Sequence, residues 1–589
     1  MSGATTPDSP AARPERGSAQ RGRLLDLGVI AWYVVLTGAC LWPVIRALDA
    51  VVPHMIRDTG FQATVIHDAT ERLLHLDFAH LFDASFFYPA HLTLAMADAQ
   101  LGLQAVALPL HLAGGDALMV LNILTILSFP VTALAGDALG RYVTGARLGG
   151  LVVGTAFAFS AFRFEHIIHL QLLQSWTIPL AFLGLEMTLR ERSRRGPIVW
   201  AFALVAAAST SLNYLLLLAI VQPVYLVVRY LVDSRRHDLI AGVRRLVRPG
   251  AIAGCAILVL LVPYVVLRLE GYSRSASGTF EFSARAVDYL VPAADSLALH
   301  GLYALHPPKT GIDERELLPG VIVLAFAGIG TLMAVVRRER PRLRQMIPWL
   351  SIAGVAFVFS LGPYLWPDAR RPPASLAGLL SLPYRFLARP LLLESLRSPA
   401  RFGVIVLLGI AVAGAMAIVR GMSRLPRGGP RSVAVGIVAL GLALEYSVSI
   451  PVQPVAWGAA LPATYAWLRD QPAGPVVELP AIGDQVSYYL LASTVDGHPR
   501  LDGWSGFLPR ELKPIRVAVT AATLPAWLAA AERLGAKYIV IHGGSIDVAT
   551  LAAVHVARDA GSLVPATTFG GDEIYRFGTP DPAPTTIPP

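Results

Sequence analysis

Carboxylates, imidazoles and guanidinium groups gather at three places in an otherwise apolar chain. The first is the stretch from Arg57 to Asp98, where Asp58, Asp68, Glu71, Asp77, Asp83 and Asp98 are interleaved with His67, His75, His80 and His91, with His54 just before it. Asp58 follows a long apolar run closely, and a carboxylate at a membrane edge is costly enough to be a functional candidate. Proton abstraction is the chemistry such a group offers. The competing reading is a solvated loop acid paired with its neighbour Arg57.

The second place is Arg163-Phe164-Glu165-His166-Ile167-Ile168-His169-Leu170-Gln171. Helical spacing puts His166 and His169 at i, i+3 and Glu165 and His169 at i, i+4, so an acid, a base and an amide converge on one face. Arg163 and Gln171 flank them as further polar contacts for a substrate. Polar residues at a helix end also reach for the membrane surface without binding anything. His and carboxylate are metal ligands as well, but the HxxH spacing lacks a third spaced ligand. No cofactor is therefore assigned, and a divalent metal stays an open alternative.

The third place is Glu394-Ser395-Leu396-Arg397-Ser398-Pro399-Ala400-Arg401-Phe402. Arg397 and Arg401 start an apolar run, and the planar fork of Arg suits a phosphate or diphosphate. A salt bridge from one of them to a loop acid such as Glu316 is the alternative. There is no GxxxxGK[ST], no GxGxxG after a strand and no GxSxG, so nucleotide-driven and serine-hydrolase chemistry find no support.

These residues need a scaffold, and composition says what kind. Of 589 residues, 54% are hydrophobic and 15% charged, far from the roughly quarter-charged soluble average. This is a polytopic membrane protein. Its net charge of +9 sits in arginine blocks between apolar runs, which is a topological signal and implies no nucleic acid. Only Lys309, Lys513 and Lys537 are lysines and Ala is abundant, a bias pointing to a GC-rich bacterial genome. Cys40 and Cys255 lie in apolar runs and make no disulfide framework.

Eleven spans are expected, at Leu27–Leu48, Ala117–Leu134, Leu148–Phe162, Leu170–Leu189, Pro197–Leu212, Tyr214–Leu231, Ala251–Leu267, Leu318–Val336, Ile347–Leu365, Phe402–Val419 and Val433–Ile450. Leu101–Ala113 is too short to cross and reads as an interfacial or re-entrant helix. The basic connections Arg141–Arg147, Arg190–Arg195, Arg235–Arg248, Arg337–Arg344 and Arg420–Arg431 then share the side of the N-terminus, which is expected in the cytoplasm. Thirteen of the fourteen histidines, all but His237, fall on the opposite side with the carboxylates. The polar turn Ser209–Asn213 between two spans predicts a cavity open to that side, closed over by the first loop, Arg268–Leu317 and Pro367–Pro399.

The domain plan is a disordered cytoplasmic tail (1–24), a transmembrane domain (25–450, first outer loop 49–116), an extracytoplasmic α/β domain (451–579) and a disordered tail (580–589). In the α/β domain, Pro475–Leu479, Lys537–Ile541 and Glu573–Phe577 read as strands and Pro525–Leu534 and Ile546–Ala557 as helices.

With these residues in view, the chain resembles GT-C fold glycosyltransferases of bacterial multipass membrane proteins, including YfhO-like and related uncharacterised members. The resemblance covers nearly the whole chain. It rests on Arg57-Asp58 after the first helix, Phe87-Tyr88-Pro89, Phe157–Gln171 (FAFSAFRFEHIIHLQ), Ala284–Pro292, Glu316–Gly320, Leu361-Gly362-Pro363, Leu396–Phe402 (LRSPARF) and Tyr488–Pro509 (YYLLASTVDGHPRLDGWSGFLP). It implies a polyprenyl-phosphate sugar donor, inverting transfer to a cell-envelope glycan, lipid or protein acceptor, and a catalytic acid in the first outer loop. Asp58 matches that acid, with no DxD in the loop. Asp98 and Glu165 join it as catalytic candidates, and Arg57, Arg163, His166, His169, Gln171, Arg397 and Arg401 as substrate-binding ones. The expected location is the bacterial inner membrane. A lipid-linked glycan flippase and a non-catalytic envelope-biogenesis scaffold are the alternatives.

Overall fold

A computed structural model describes residues 16–191, 194–233, 236–272, 279, 282–305, 314–365, 380–388, 396 and 398–578. Eight of its helices are long and apolar enough to cross a membrane: Gly22–Ile45, Ala117–Thr144, Arg147–Glu165, Leu170–Arg190, Leu212–Val232, Leu239–Leu269, Arg340–Ser360 and Pro399–Ser423. Each overlaps a span expected from hydropathy. Two other expected spans are the 16-residue helices Arg195–Thr210 and Val321–Val336, about 24 Å of rise against a hydrocarbon core of about 30 Å. The eleventh is displaced, because its helix runs Gly429–Glu445 and the chain has left it before Ile450.

Two other expectations are corrected. The first helix starts at Arg16, so part of the tail drawn as disordered is helical, while residues 1–15 lie outside the described residues, as does the tail from 580. The described part of the basic segment Arg235–Arg248, from Arg236 on, is no loop. It belongs to the 34-residue helix Arg236–Leu269, since Leu, Ala and Arg are good helix formers and nothing between them breaks the backbone before Pro249.

The bundle packs through small residues. A Cβ on Gly136 would meet the Cα of Gly154 at 3.1 Å, so the Ala117–Thr144 and Arg147–Ala158 helices approach at backbone distance, as membrane helices do when side chains are removed from the seam. Asp116 caps the first of these by accepting from the Met119 amide at 2.8 Å, and Gly145 (φ +69°) ends it in the left-handed region.

Beyond the bundle stands a four-stranded sheet ordered Val476–Leu479, Tyr538–His542, Asp572–Phe577, Leu563–Phe569. The first pair is parallel and the others antiparallel. The helices Gly483–Asp496, Leu524–Arg533 and Val548–Asp559 accompany it. Three strands and two helices coincide with those expected. The strand Leu563–Phe569 is additional, with an irregularity at Pro565/Thr567, where a residue lacking an N–H interrupts the ladder.

One face of this sheet has a small core of its own, with Tyr465, Leu468, Val476, Tyr538, Val540 and Ile574, and the other shares its core with the first loop. Phe61, Val65, Phe86, Phe87, Leu94 and Met96 of the first loop share one hydrophobic cluster with Leu479, Leu490, Leu501, Trp527 and Ile541. A short antiparallel ribbon, Val51–Pro53 with Val452–Pro454, sets the start of the first loop beside the start of the C-terminal domain. Both therefore lie at the same end of the bundle.

Candidate functional site

Asp58 sits in the first turn of the Ile56–Leu74 helix, where an acid complements the helix dipole, and Arg72 occupies the last turn. The helix is buried on two sides. Ile56, Ala63 and Ile66 pack into the bundle core, and Phe61, Val65 and Ala69 into the core shared with the C-terminal domain. Gly60 faces the Gly483–Asp496 helix so closely that a Cβ would lie 2.7 Å from the Ser487 carbonyl oxygen. Burial on two sides and this close approach fix where the Asp58 carboxylate points.

Asp58 is not paired with Arg57. Arg57 Nε reaches Asp484 Oδ1 of the C-terminal domain at 2.8 Å, both side chains being 42% exposed. Asp58 instead accepts a hydrogen bond on Oδ1 from Trp504 Nε1 at 2.9 Å, and its Oδ2 stands 3.7 Å from His169 Nε2. Most other acids of this stretch hold the loop together. Asp68 accepts from the amide and hydroxyl of Ser85 at 2.8 and 2.9 Å, Asp83 from the Leu92 amide at 2.7 Å, and Asp77 binds Arg72 at 2.8 Å.

His169 belongs to an irregular segment between two broken spans. One chain of helix stops at Ala158, restarts as Ala161–Glu165 and again as Leu170–Leu173 before the long Thr177–Glu191 helix. Such backbone is tolerated at membrane depth where protein buries it or a cavity opens. His166 is buried, with Nδ1 2.7 Å from the Phe162 carbonyl and Nε2 3.4 Å from Glu314 Oε2. His169 Nδ1 and Gln171 Oε1 are buried and have no hydrogen-bond partner among the described residues. Arg163 turns away from this group, donating to the carbonyls of Ala158 and Leu173 and to Ser128 Oγ and lying over the Phe129 ring at 4.3 Å. Fully buried, it ties the irregular segment to the bundle.

Arg401 is gripped by an acid. Its Nη2 and Nε reach the two carboxylate oxygens of Glu314 at 2.6 and 2.9 Å, and Nη1 donates to Asn213 Oδ1 at 3.2 Å. The loop acid expected for such a bridge was Glu316, and Glu314 takes the place. Asn213 donates in turn to Asp98 Oδ2 at 3.2 Å, and Asp98 Oδ1 accepts from the Leu212 amide at 3.1 Å. The polar turn between the Arg195–Thr210 and Leu212–Val232 helices is thus stapled by Asp98. Glu165 accepts from the amides of Arg315 and Glu316 at 2.7 and 2.8 Å, which sets the loop that presents Glu314. Arg397 lies outside the described residues, as does most of Pro367–Pro399.

The geometry divides the candidates into a chain, Asp98–Asn213–Arg401–Glu314–His166, whose Arg401, Glu314 and His166 are buried, and a more open pair, Asp58 with His169. Asp58 keeps 22% of its side chain exposed and His169 12%, against 8% and 6% for Arg401 and Glu314. Burial pushes the His169 imidazole down to about 4, Asp58 pulling the other way and His166 adding to the fall. Burial alone would raise Glu314, but the Arg401 guanidinium against it, with His166, holds its carboxyl well below the usual range. Burial and the neighbouring Glu165 push Glu316 well above its ordinary value. Around Asp58, no three ligand atoms of the described residues converge tightly enough to share an ion.

Sequence reasoning missed Glu314 and Trp504. Glu314 carries a signal visible only in the backbone, a φ of +52° that non-glycine residues rarely adopt. Trp504 stands in the run Tyr488–Pro509 that contributed to the family resemblance, with nothing local to single it out.

No family model matches the chain, and neither does any curated protein. Among solved structures it is similar to the archaeal oligosaccharyltransferase AglB from Archaeoglobus fulgidus in complex with an inhibitory peptide and a dolichol-phosphate, at 12% identity over 93% of this chain and 74% of that one, with a TM-score of 0.49. It is also similar to ArnT from Cupriavidus metallidurans in the apo state, at 12% identity over 95% and 98% of the two chains and a TM-score of 0.39. The arabinofuranosyltransferase AftD from Mycobacteria matches at 14% identity over 95% of this chain and 42% of that one, with a TM-score of 0.46. Each is a likeness of overall arrangement, and no residue role is carried over from it.

Proposed function

We propose that this chain is an inverting membrane glycosyltransferase of the GT-C type, moving a sugar from a polyprenyl-phosphate carrier to a cell-envelope acceptor on the extracytoplasmic face of a bacterial inner membrane. The observation that carries the reading is the Asp58 carboxylate, partly open, anchored through one oxygen by Trp504 and facing His169 with the other. In the reaction, the acceptor hydroxyl oxygen attacks the anomeric carbon and its proton passes to Asp58 Oδ2. The bond from that carbon to the carrier phosphate oxygen breaks, its electron pair leaves with the phosphate, and the configuration inverts.

His169, neutral at pH 7, positions the acceptor beside Asp58, with Gln171 near it in sequence as a further polar contact. Arg57, the exposed cation next to Asp58, and Arg397 are the candidates for the carrier phosphate. Arg401 is a positioning residue in this scheme, because its fork is taken up by Glu314. Asp98 and Glu165 act likewise, through the backbone amides they hold. The clustering of basic connections supports the orientation.

The test is chemical. Envelope glycans of a deletion strain should lack one sugar, and Asp58→Asn should fail to restore it while accumulating in the membrane. Loss of a general base costs a factor of about 10²–10⁴ in rate. Full restoration by Asp58→Asn would overturn the assignment in favour of an envelope scaffold.

A further inference from the structure

We propose that His67, Glu71 and His111 form a binding site for one divalent cation of the zinc class, separate from the Asp58 group. His67 and Glu71 are four residues apart on one face of the Ile56–Leu74 helix. His111 comes from the last turn of the Gln104–Leu112 helix. One ligand atom from each converges so that all three lie within 4.8 Å of one another.

Two details point to an ion rather than to a chance cluster. His111 Nε2 and Glu71 Oε1 are 3.2 Å apart, near the roughly 3.3 Å edge of a tetrahedron whose metal–ligand bonds are about 2.0–2.1 Å. The His67 and His111 rings meet edge to face with centroids 5.7 Å apart, and His67 Nδ1 is buried without a hydrogen-bond partner among the described residues. A buried imidazole nitrogen left unpaired costs free energy that a ligand recovers. Two imidazoles and one carboxylate are a donor set suited to zinc, whereas calcium and magnesium prefer all-oxygen sites. Three protein ligands leave a fourth position for water.

The site has a structural consequence. At the neighbouring turn, Thr70 Oγ1 donates to Gln104 Oε1 at 2.7 Å, and Gln104 Nε2 donates to the Ile66 carbonyl at 3.1 Å, so the two helices are already pinned there. An ion at His67 and Glu71 clamps the far part of the helix whose first turn carries Asp58, about 14–20 Å away along the axis. It orders the loop and takes no part in the transfer.

Full-length protein purified in detergent, stripped with a chelator and given Zn²⁺ or Co²⁺, tests this. One ion per chain is expected by elemental analysis, with a rise in melting temperature and, for Co²⁺, the intense visible bands of a tetrahedral site. His111→Gln and Glu71→Gln should each weaken binding by more than the roughly 10–100-fold typical of losing an outer-shell partner, while His169→Gln keeps it. Substoichiometric binding, a wild-type Co²⁺ spectrum without tetrahedral bands, binding unchanged in His111→Gln, or binding lost in His169→Gln would each overturn the proposal. Should a variant fail to fold, the wild-type stoichiometry and spectrum decide alone.

Discussion

Trp504 donates its indole N–H to Asp58 Oδ1 at 2.9 Å across 446 residues of sequence. The C-terminal domain thereby reaches the acid of the first loop, and since indole is only a donor, the contact orients a carboxylate acceptor. Trp504→Phe keeps an aromatic ring and removes the donor. A hydrogen bond to a charged acceptor contributes about 1.5–3 kcal/mol, so turnover should fall roughly 10–100-fold with the KM for acceptor little changed. Initial rates with a polyprenyl-phosphate sugar read this, and an unaltered turnover would show that Asp58 is oriented without the indole.

The Arg401–Glu314 pair is buried and bidentate. Glu314→Gln leaves a buried guanidinium uncompensated, which typically costs about 3–5 kcal/mol, whereas Glu314→Gln with Arg401→Met removes both charges and should be milder than the sum of the single changes. Thermal denaturation in detergent measures the cycle. Simple additivity would mean that the two residues are not coupled.

Gly60→Val places side-chain atoms against the Ser487 carbonyl, where even a Cβ would be 2.7 Å away. Overpacking of this kind costs about 1–3 kcal/mol, and here it prises the C-terminal domain from the helix that carries Asp58. Faster limited proteolysis of residues 451–462, with slower transfer, is the expected result. Unchanged proteolysis would place the docking energy elsewhere.

His169 makes stability depend on pH. Burial lowers its folded value from 6.5 to about 4, so between those values the unfolded chain binds a proton that the folded chain does not. The contribution is complete above pH 6.5 and is lost as pH falls towards 4, on the order of 3 kcal/mol at most. Melting temperatures between pH 7 and 4.5 should fall more steeply for the wild type than for His169→Gln. Parallel curves would remove His169 as the cause.

A periplasmic phosphatase fused after Pro480 should be active and a cytoplasmic reporter there silent under the proposed orientation, which the clustering of basic connections on the opposite side supports. The opposite pattern would invert the topology and move the transfer to the other face.

Hydropathy alone located every helix among the described residues that is long and apolar enough to cross a membrane, because bilayer thickness fixes the length of an apolar run whatever surrounds it. Short apolar, β-branched runs likewise located the strands expected at Pro475–Leu479 and Lys537–Ile541, which run Val476–Leu479 and Tyr538–His542, while Pro565 hid the strand Leu563–Phe569. Asp58 and Arg401 stood out by type, an acid and a cation where the local environment disfavours them. Their partners did not. Glu314 lies 87 residues from Arg401 and Arg315 150 from Glu165, and such pairings depend on which loops the packed bundle brings together. Periodicity records only which face of an element is apolar. Whether Arg401 meets a phosphate or a carboxylate, and whether Asp58 meets Arg57 or Trp504, is settled by tertiary packing, since a charge takes the partner that the folded chain brings within reach.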